Sequence, residues 1–322
     1  MAPDFERGAV KALLGAALAL LGCQPRPATE STASAPAAAA AAASVQPTPA
    51  SRGPVLVVLS SSNSLPLKGG KALPTGYFLN ELMVPVQALT RAGYRPVFAT
   101  PAGGAAVMDN HSDSASFFPN EAEYRQAKQA LQQLNELRQT RALSEVLREG
   151  LEPYRGVLVP GGHAAMGDLS ENAQLGQVLR HFHDARKPTG VICHGPAALL
   201  STLPRVHDFQ VALASGDTAQ AKQASAGFPY AGYRLTAFST AEEKAVEDGG
   251  ASAFLGGLVL FYLDQALTAA GAHVDVGEPF KSHVVVDREL ISAQQPASDG
   301  AFTRALLEAL AKNDSGGAAP RQ

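Results

Sequence analysis

The 322-residue chain is poor in cysteine and in charge, and each shortage narrows the range of functions. Only two cysteines occur, Cys23 and Cys193, and their contexts differ so much that we expect separate roles and not a shared disulfide. Charged residues make up 17% of the sequence, and the net charge is −3. We therefore expect no nucleic-acid partner, because neutralising phosphates needs clustered Lys and Arg. Hydrophobic residues reach 46%, which is enough for a sizeable core.

The apolar run at residues 12–22 is too short to cross a bilayer, which needs about 20 residues, but it has the length of the apolar part of a signal peptide. Arg7 and Lys11 precede it, and it ends in Leu-Leu-Gly-Cys. This ending resembles a bacterial lipobox, whose cysteine is lipidated and becomes the mature N-terminus. We therefore expect an exported lipoprotein of the bacterial cell envelope, anchored to a membrane through Cys23 and facing the periplasm. A cleaved, soluble secretory protein is the alternative.

Composition divides the chain into four segments. Residues 1–22 form the predicted lipoprotein signal peptide. Residues 23–52 are dominated by Ala, Pro, Ser and Thr, which predicts a disordered tether. Residues 53–313 carry regular apolar patterns and form the predicted globular domain, whereas residues 314–322 return to a composition like that of the tether. We therefore expect one folded domain between two disordered ends.

Strands and helices alternate through the predicted domain. Continuous apolar runs such as PVLVVLSS at residues 54–61 are typical of strands buried on both faces. Repeated strand–helix units predict an α/β fold with a mostly parallel sheet, helices on both faces, and ligands bound beyond the carboxyl ends of the strands. The predicted strands are residues 54–61, 95–100, 156–160, 188–193 and 234–238, with a hairpin at 283–292, and the predicted helices are residues 76–92, 121–149, 171–184, 196–201, 242–247, 251–270 and 298–312.

Cys193 ends an apolar strand and is followed at once by His-Gly-Pro. Gly195 permits an unusual backbone angle and Pro196 suits the first turn of a helix, so the sulfur is expected at a strand-to-helix turn. The positive end of the helix would favour the thiolate there, as at a nucleophile elbow. His194 is placed to present its imidazole or its backbone N–H to a substrate. The alternatives are a buried structural cysteine and a histidine that only packs.

Gly161, Gly162 and His163 follow another buried strand, which we expect to neighbour the strand of Cys193. Two glycines at such a strand end let backbone N–H groups point into a cleft, where they bind an anion or stabilise an oxyanion. His163 either lines this cleft or helps to form the turn. The alternative is an ordinary glycine-rich turn.

Glu81 lies early in the first predicted helix, four residues before Pro85. Pro85 has no N–H to bond the carbonyl of Glu81, so the helix must be loosened there. A carboxyl at this place lies on the same edge of the sheet as Cys193, and burial would raise its pKa so that it holds a proton at neutral pH. The alternative is a solvated helix residue.

These three features occur together in a recognisable pattern. The segments at residues 76–104, 156–172 and 187–199, which contain the early Glu, the Pro-Gly-Gly-His turn and the Cys-His-Gly-Pro turn, resemble the DJ-1/PfpI superfamily, and most closely its Hsp31-like branch. The resemblance continues through residues 234–243 and 283–298. It implies a flavodoxin-like three-layer α/β/α sandwich, often assembled as a homodimer.

The resemblance also implies a chemistry. Members similar to this branch are glyoxalases that use neither glutathione nor a metal or other cofactor, and they convert methylglyoxal or related 2-oxoaldehydes into hydroxy acids. By this resemblance Cys193 is the nucleophile, Glu81 contacts its thiol, and His194 is the third catalytic residue. The partner is then a small aldehyde, and the N–H groups of Gly162 and His194 stabilise the oxyanion.

Two other functions fit the same fold. A cysteine hydrolase, whether peptidase, amidase or deglycase, would use the same nucleophile and oxyanion site, with a His/acid pair further along the chain. The pairs available are His207 with Asp208 and His273 with Asp275. A holding chaperone or an oxidation sensor is the non-enzymatic alternative, since fold does not fix function.

Overall fold

The apolar run after the predicted tether becomes an interior strand of a sheet. The computed structural model describes residues 52–316. The predicted signal peptide, Cys23, nearly all of the predicted tether and the end of the predicted tail lie outside the described residues. In the described part, no helix is both long enough and apolar enough to span a membrane.

The described residues form eleven strands and eleven α-helices. In chain order the strands are β1 Gly53–Val58, β2 Ser64–Pro66, β3 Ala72–Pro74, β4 Tyr94–Thr100, β5 Arg141–Ala142, β6 Val157–Val159, β7 Thr189–Ile192, β8 Arg234–Leu235, β9 His273–Val274, β10 Val284–Asp287 and β11 Leu290–Ala293. The helices are α1 Leu79–Arg91, α2 Glu121–Gln133, α3 Leu143–Glu149, α4 Asp168–Glu171, α5 Ala173–Asp184, α6 Ala197–Leu200, α7 Val206–Ser215, α8 Thr218–Ala224, α9 Thr240–Val246, α10 Leu263–Ala269 and α11 Asp299–Gly316.

Seven strands form one sheet in the order β10-β11-β7-β6-β1-β4-β5, and every neighbouring pair is parallel except β10 with β11. The chain crosses from β1 to β4 in one direction and later from β6 to β7 in the other, so right-handed crossovers place helices on both faces. Helices α1 and α11 pack together, as do α3 and α5. The prediction of a flavodoxin-like three-layer sandwich with a mostly parallel sheet is confirmed.

This topology places the functional candidates at one edge. Strands β6 and β7 are adjacent, with Val159 paired to Val191, so the residues that follow their carboxyl ends meet. Strand β1 lies beside β6, and helix α1 starts above the same edge. In sheets of this kind the crevice beyond the strand ends is the usual ligand site.

The predicted helix at 121–149 is helical only at its two ends, as α2 and α3, because the chain breaks after Gln133 and returns to the sheet as β5, paired with the end of β4. The hydroxyls of Thr140 and Thr100 lie 2.9 Å apart and fix this return. The strand expected at 234–238 is also shorter, because only its first two residues pair, with β9. Helices α7 and α8 had no counterpart in the prediction.

The predicted helix at 251–270 is also wrong: only its last part, α10, is helical. Gly249 and Gly256 take positive φ angles of 83° and 70°, which end regular structure on either side of Phe254. The Glu247 carboxylate holds the resulting loop by accepting hydrogen bonds from the Val259 N–H and the Tyr262 hydroxyl, both at 2.9 Å. The loop brings Phe254 to the carboxyl edge of the sheet, where it lines a cavity.

Candidate active site

Cys193 sits on a strained turn between β7 and α6, as the sequence predicts. Its φ is +61°, in the left-handed region that a residue with a side chain rarely adopts. The turn is tight because Gly195 passes close to β6: a Cβ there would fall 2.3 Å from the Val159 carbonyl oxygen. Strain of this kind is characteristic of functional sites, and here it points the thiol away from the strand into the crevice.

His194 is positioned to take the thiol proton. The Cys193 Sγ and His194 Nδ1 lie 3.3 Å apart, and the His194 Nε2 lies 2.8 Å from a Glu243 carboxylate oxygen. Because a carboxylate only accepts hydrogen bonds, Nε2 carries the proton and Nδ1 is left as the acceptor that faces the thiol. Burial, with His163 close by, lowers the pKa of His194 to about 4, so the imidazole is neutral at pH 7 and can act as a base.

Glu243 joins two histidines, and our sequence reasoning did not identify it. Its other oxygen lies 2.8 Å from the His163 Nε2, and the two imidazole rings pack with centroids 4.0 Å apart. Burial opposes ionisation of Glu243, but the hydrogen bonds from His163 and His194 outweigh it and hold its pKa well below the usual range. The carboxylate therefore fixes the orientation of both rings.

The sequence holds only part of a signal for Glu243, namely a serine followed three and four residues later by two adjacent acids. The Ser239 hydroxyl and the Glu242 carboxylate form a capping box that starts α9, so the first of the two adjacent acids is explained by the helix. The second acid, fully buried, needs a different partner. The pairs suggested by the sequence do not reach the site. His207 faces Glu171 at 3.6 Å, and Asp275 faces Arg234 at 3.0 Å.

Glu81 is buried beside the thiol, so the alternative of a solvated helix residue is wrong. One carboxyl oxygen accepts the Gly161 N–H at 3.0 Å, and the other is buried without a hydrogen-bond partner. The Cys193 side chain lies beside this carboxyl group. Only glycine fits between them, because a Cβ on Gly161 would lie 2.5 Å from the Glu81 Oε2 and 2.6 Å from the Cys193 Cβ. Burial raises the pKa of Glu81 to about 8, so this carboxyl holds a proton at neutral pH.

The expectation of a readily ionised thiol is not met in the resting site. Burial and the charge of Glu81 raise the pKa of the Cys193 thiol well above its ordinary value, although the Gly162 N–H opposes the shift. Helix α6 is only four residues long, so its dipole is weak. When Glu81 is protonated, its repulsion disappears and its hydroxyl can donate to the sulfur, which stabilises the thiolate. Glu81 thus sets the ease of thiolate formation.

The two glycines have different tasks. The Gly161 N–H is occupied by Glu81, so this residue holds the carboxyl and is not an oxyanion donor, contrary to the prediction. The Gly162 N–H faces the sulfur, close to the place where a carbonyl oxygen would gain negative charge when the sulfur attacks its carbon. Gly162 has a φ of +100°, and a Cβ there would lie 2.0 Å from the Gly76 carbonyl oxygen. Glycine is therefore required at both positions.

A cavity of about 620 Å³ opens above the thiol. Cys193 lies at its base with only 3% of its surface exposed, and both His163 and His194 line it. His163, His194 and Glu243 also present three metal-ligand atoms within 4.8 Å of one another. A metal ion would have to replace the hydrogen bonds that Glu243 now accepts from both rings.

Glu81→Gln is expected to reduce turnover by about 10²- to 10⁴-fold, because an amide can still donate to the sulfur but cannot transfer a proton. The same change should raise the unfolding temperature near pH 8. The folded-state pKa of about 8 exceeds the ordinary 4.5. The stability that the protonated Glu81 contributes is therefore complete below pH 4.5 and is lost as the pH rises from there through 8. Rate measurements and thermal melts at pH 5 and pH 8 check both parts. Equal melts at pH 8 would contradict the assigned protonation.

Comparison with known proteins shows which family this chain resembles. Residues 73–203 match the model of the DJ-1/PfpI family. The protein/nucleic acid deglycase HchA of Staphylococcus aureus (strain JH9) is 27% identical over 253 residues, covering 75% of this chain and 74% of that protein.

Solved structures share the fold. The rapid encystment protein of Francisella tularensis aligns with a TM-score of 0.60 and 23% identity, over 80% of this chain and 99% of that one. Glyoxalase III of Candida albicans aligns with a TM-score of 0.60 and 20% identity, over 81% of this chain and 98% of that one. At these identities the alignments establish the architecture and leave the activity to the geometry of the site.

Proposed function

This chain belongs to the DJ-1/PfpI superfamily, and from that premise we propose that it is a cofactor-independent glyoxalase-type enzyme, which converts methylglyoxal or a related 2-oxoaldehyde into a hydroxy acid. One observation carries the proposal: a buried thiol lies between a protonated carboxyl and a neutral imidazole at the base of a cavity. An aldehyde bound there would meet a nucleophile, a base and an acid together.

In the first step the Cys193 sulfur bonds to the aldehyde carbon while its proton passes to His194 Nδ1, 3.3 Å away. Glu243 stabilises the imidazolium that forms. The carbonyl oxygen becomes an alkoxide facing the N–H groups of Gly162 and His194. It takes the proton that His194 received from the thiol, which gives a hemithioacetal and leaves the imidazole neutral again.

In the second step a proton leaves the former aldehyde carbon and another is added to the neighbouring ketone carbon. Glu81 and His194 flank the sulfur and so can share this transfer, one as base and the other as acid. The carbon chain is thereby rearranged into a 2-hydroxy thioester without gain or loss of electrons. Water then breaks the carbon–sulfur bond, which releases the hydroxy acid and restores the thiol.

A deglycase is the second candidate, favoured by the name of the Staphylococcus aureus relatives and by the Cys193–His194–Glu243 arrangement. In this reaction the sulfur would bond to the former aldehyde carbon of a hemiaminal, and the carbon–nitrogen bond to the protein or nucleotide would break, with a proton passing to the departing amine. The deep position of Cys193 favours the free aldehyde, because a small molecule reaches a thiol with 3% exposure more readily than a group held on a macromolecule does.

Lactate formation by the full-length protein tests the proposal. Methylglyoxal is supplied without glutathione, and D-lactate is measured with a stereospecific dehydrogenase; sustained production is the expected result. A parallel reaction starts from the methylglyoxal adduct of N-acetylarginine. Lactate that appears there faster than the adduct releases free aldehyde would favour the deglycase, and absence of lactate from both would refute both candidates.

We also propose that the protein acts at the cell envelope as a lipoprotein, because Leu-Leu-Gly-Cys ends the apolar run at residues 12–22. Mass spectrometry of the mature protein is expected to find an acylated N-terminal Cys23. A mature N-terminus at any other residue would contradict this proposal without affecting the proposed chemistry.

A further inference from the structure

The cavity above Cys193 is larger than methylglyoxal needs. Its volume of about 620 Å³ falls in the range of pockets for drug-sized ligands, roughly 300–1,000 Å³. Methylglyoxal is a three-carbon molecule that presents only a methyl group beside its two carbonyls. Most of the cavity would therefore stay empty of substrate if methylglyoxal were the molecule for which it is shaped.

The walls are aromatic and almost uncharged. Phe78 and Phe117 meet edge to face with centroids 4.8 Å apart, and His111 stacks on Phe254 at 3.9 Å. Further phenylalanines, Phe118, Phe238 and Phe280, also line the cavity. Among the described residues the lining contains no Lys or Arg, and Asp299 is its one acidic member, with a pKa that burial raises. Such a wall suits a neutral aromatic group and disfavours phosphate or carboxylate.

Phe280 adds an independent observation. Its φ is +58°, a strained value for a bulky side chain, and 49% of its surface is exposed, so it gains little from packing in the protein itself. The backbone is held in this shape because the Phe280 N–H donates to the buried Glu242 at 2.7 Å. An exposed ring kept in a strained place at a cavity is suited to contacting a ligand.

We propose that the substrate is an aryl 2-oxoaldehyde, with an aromatic ring in place of the methyl group of methylglyoxal. The inference rests on the proposed glyoxalase function. The ring lies among Phe254, Phe280 and Phe117, and the aldehyde carbon faces Cys193. The steps are those already described: sulfur adds to the aldehyde, a proton moves between the two carbons, and water releases an aryl hydroxy acid. With phenylglyoxal the product is mandelate.

The test compares kcat/KM for phenylglyoxal and methylglyoxal in the full-length protein. Phenylglyoxal is expected to be favoured by about tenfold or more, because one ring held between aromatic side chains stabilises the complex by roughly the equivalent of one decade. Phe254→Leu and Phe280→Gly should each reduce this ratio several-fold. Glycine adopts a positive φ without strain, so Phe280→Gly is not expected to impair folding.

Val211→Ala is the matched control. Val211 is 50% exposed on α7 and does not line the cavity, so the ratio should not change. A preference for methylglyoxal, or a ratio unaffected by both phenylalanine variants, would overturn the inference.

Binding of acetophenone, a neutral aryl ketone without the aldehyde, distinguishes failure of the proposed glyoxalase function from failure of the aryl inference. Calorimetry should show saturable binding that Phe280→Gly weakens. If neither aldehyde is turned over but acetophenone still binds in this way, the glyoxalase function fails while the aryl selectivity of the cavity stands. If methylglyoxal is turned over and acetophenone does not bind, the aryl inference alone fails.

Discussion

Cys193→Ala is expected to lower turnover of a 2-oxoaldehyde by at least about 10⁴-fold, a loss of the size seen when a covalent nucleophile is removed. No other described side chain at the cavity can replace the sulfur as nucleophile, because Cys193 is the one cysteine in its lining. The neighbouring Glu81 and His194 are assigned to proton transfer. Lactate formation from methylglyoxal, measured with equal amounts of both proteins, gives the comparison.

The fold should tolerate this change. Cys193 is buried, but alanine removes only one sulfur atom, and both residues have a Cβ at the same strained φ of +61°. The circular dichroism spectrum is therefore expected to match that of the wild type, with a modest change in melting temperature. Cys193→Ser is the companion variant, since its hydroxyl fills the space yet ionises far less readily than a thiol. Lactate formation by either variant at more than a few per cent of the wild-type rate would refute covalent catalysis by Cys193.

Much of the fold could be predicted because local signals agreed with the tertiary structure. Continuous apolar runs such as residues 54–61 became buried parallel strands, and the hairpin at 283–292 pairs as β10 and β11. The failures lie where tertiary contacts override local composition. The alanine- and leucine-rich stretch at 251–270 reads as a helix, yet Glu247 and two glycines with positive φ keep its first part as the loop that carries Phe254.

The candidate site also combines features that could be predicted from the sequence with features that could not. The Cys193 turn could be predicted because strand, glycine and proline are adjacent in sequence. The role of Glu243 could not, because it depends on burial next to His163 and His194, residues that lie 80 and 49 positions away along the chain. The pKa of the thiol was misjudged for a related reason: burial and Glu81 dominate over the single turn of α6, and neither can be read from the local sequence.

Glu243→Gln is expected to lower kcat by about 10³- to 10⁴-fold at neutral pH, as for other catalytic triads in which an amide replaces the acid and stabilises the wrong tautomer of the histidine. Glu243 now accepts an N–H from both His163 and His194. A glutamine offers one acceptor oxygen and one NH₂ group, so one ring must turn or transfer its proton to the other nitrogen. If that ring is His194, its Nδ1 becomes protonated and can no longer take the thiol proton.

A measurement other than turnover distinguishes this mechanism from a general loss of stability. The rate at which iodoacetamide alkylates Cys193 should fall together with kcat, because proton removal from the thiol is impaired although the sulfur itself is unchanged. Glu289→Gln is the matched control. Glu289 is also buried and also bonds a histidine, His183 at 3.0 Å, but it lines a separate cavity from the one above Cys193.

The two variants, Glu243→Gln and Glu289→Gln, should therefore differ in activity but not in their effect on stability. Both lose a buried Glu–His interaction, so both should lower the melting temperature. Only Glu243→Gln should slow alkylation and turnover, since only this carboxylate orients the base that faces the sulfur. If Glu289→Gln lost as much activity, the effect would arise from stability. If Glu243→Gln kept full activity, the assigned role of Glu243 in orienting His194 as the base would be wrong.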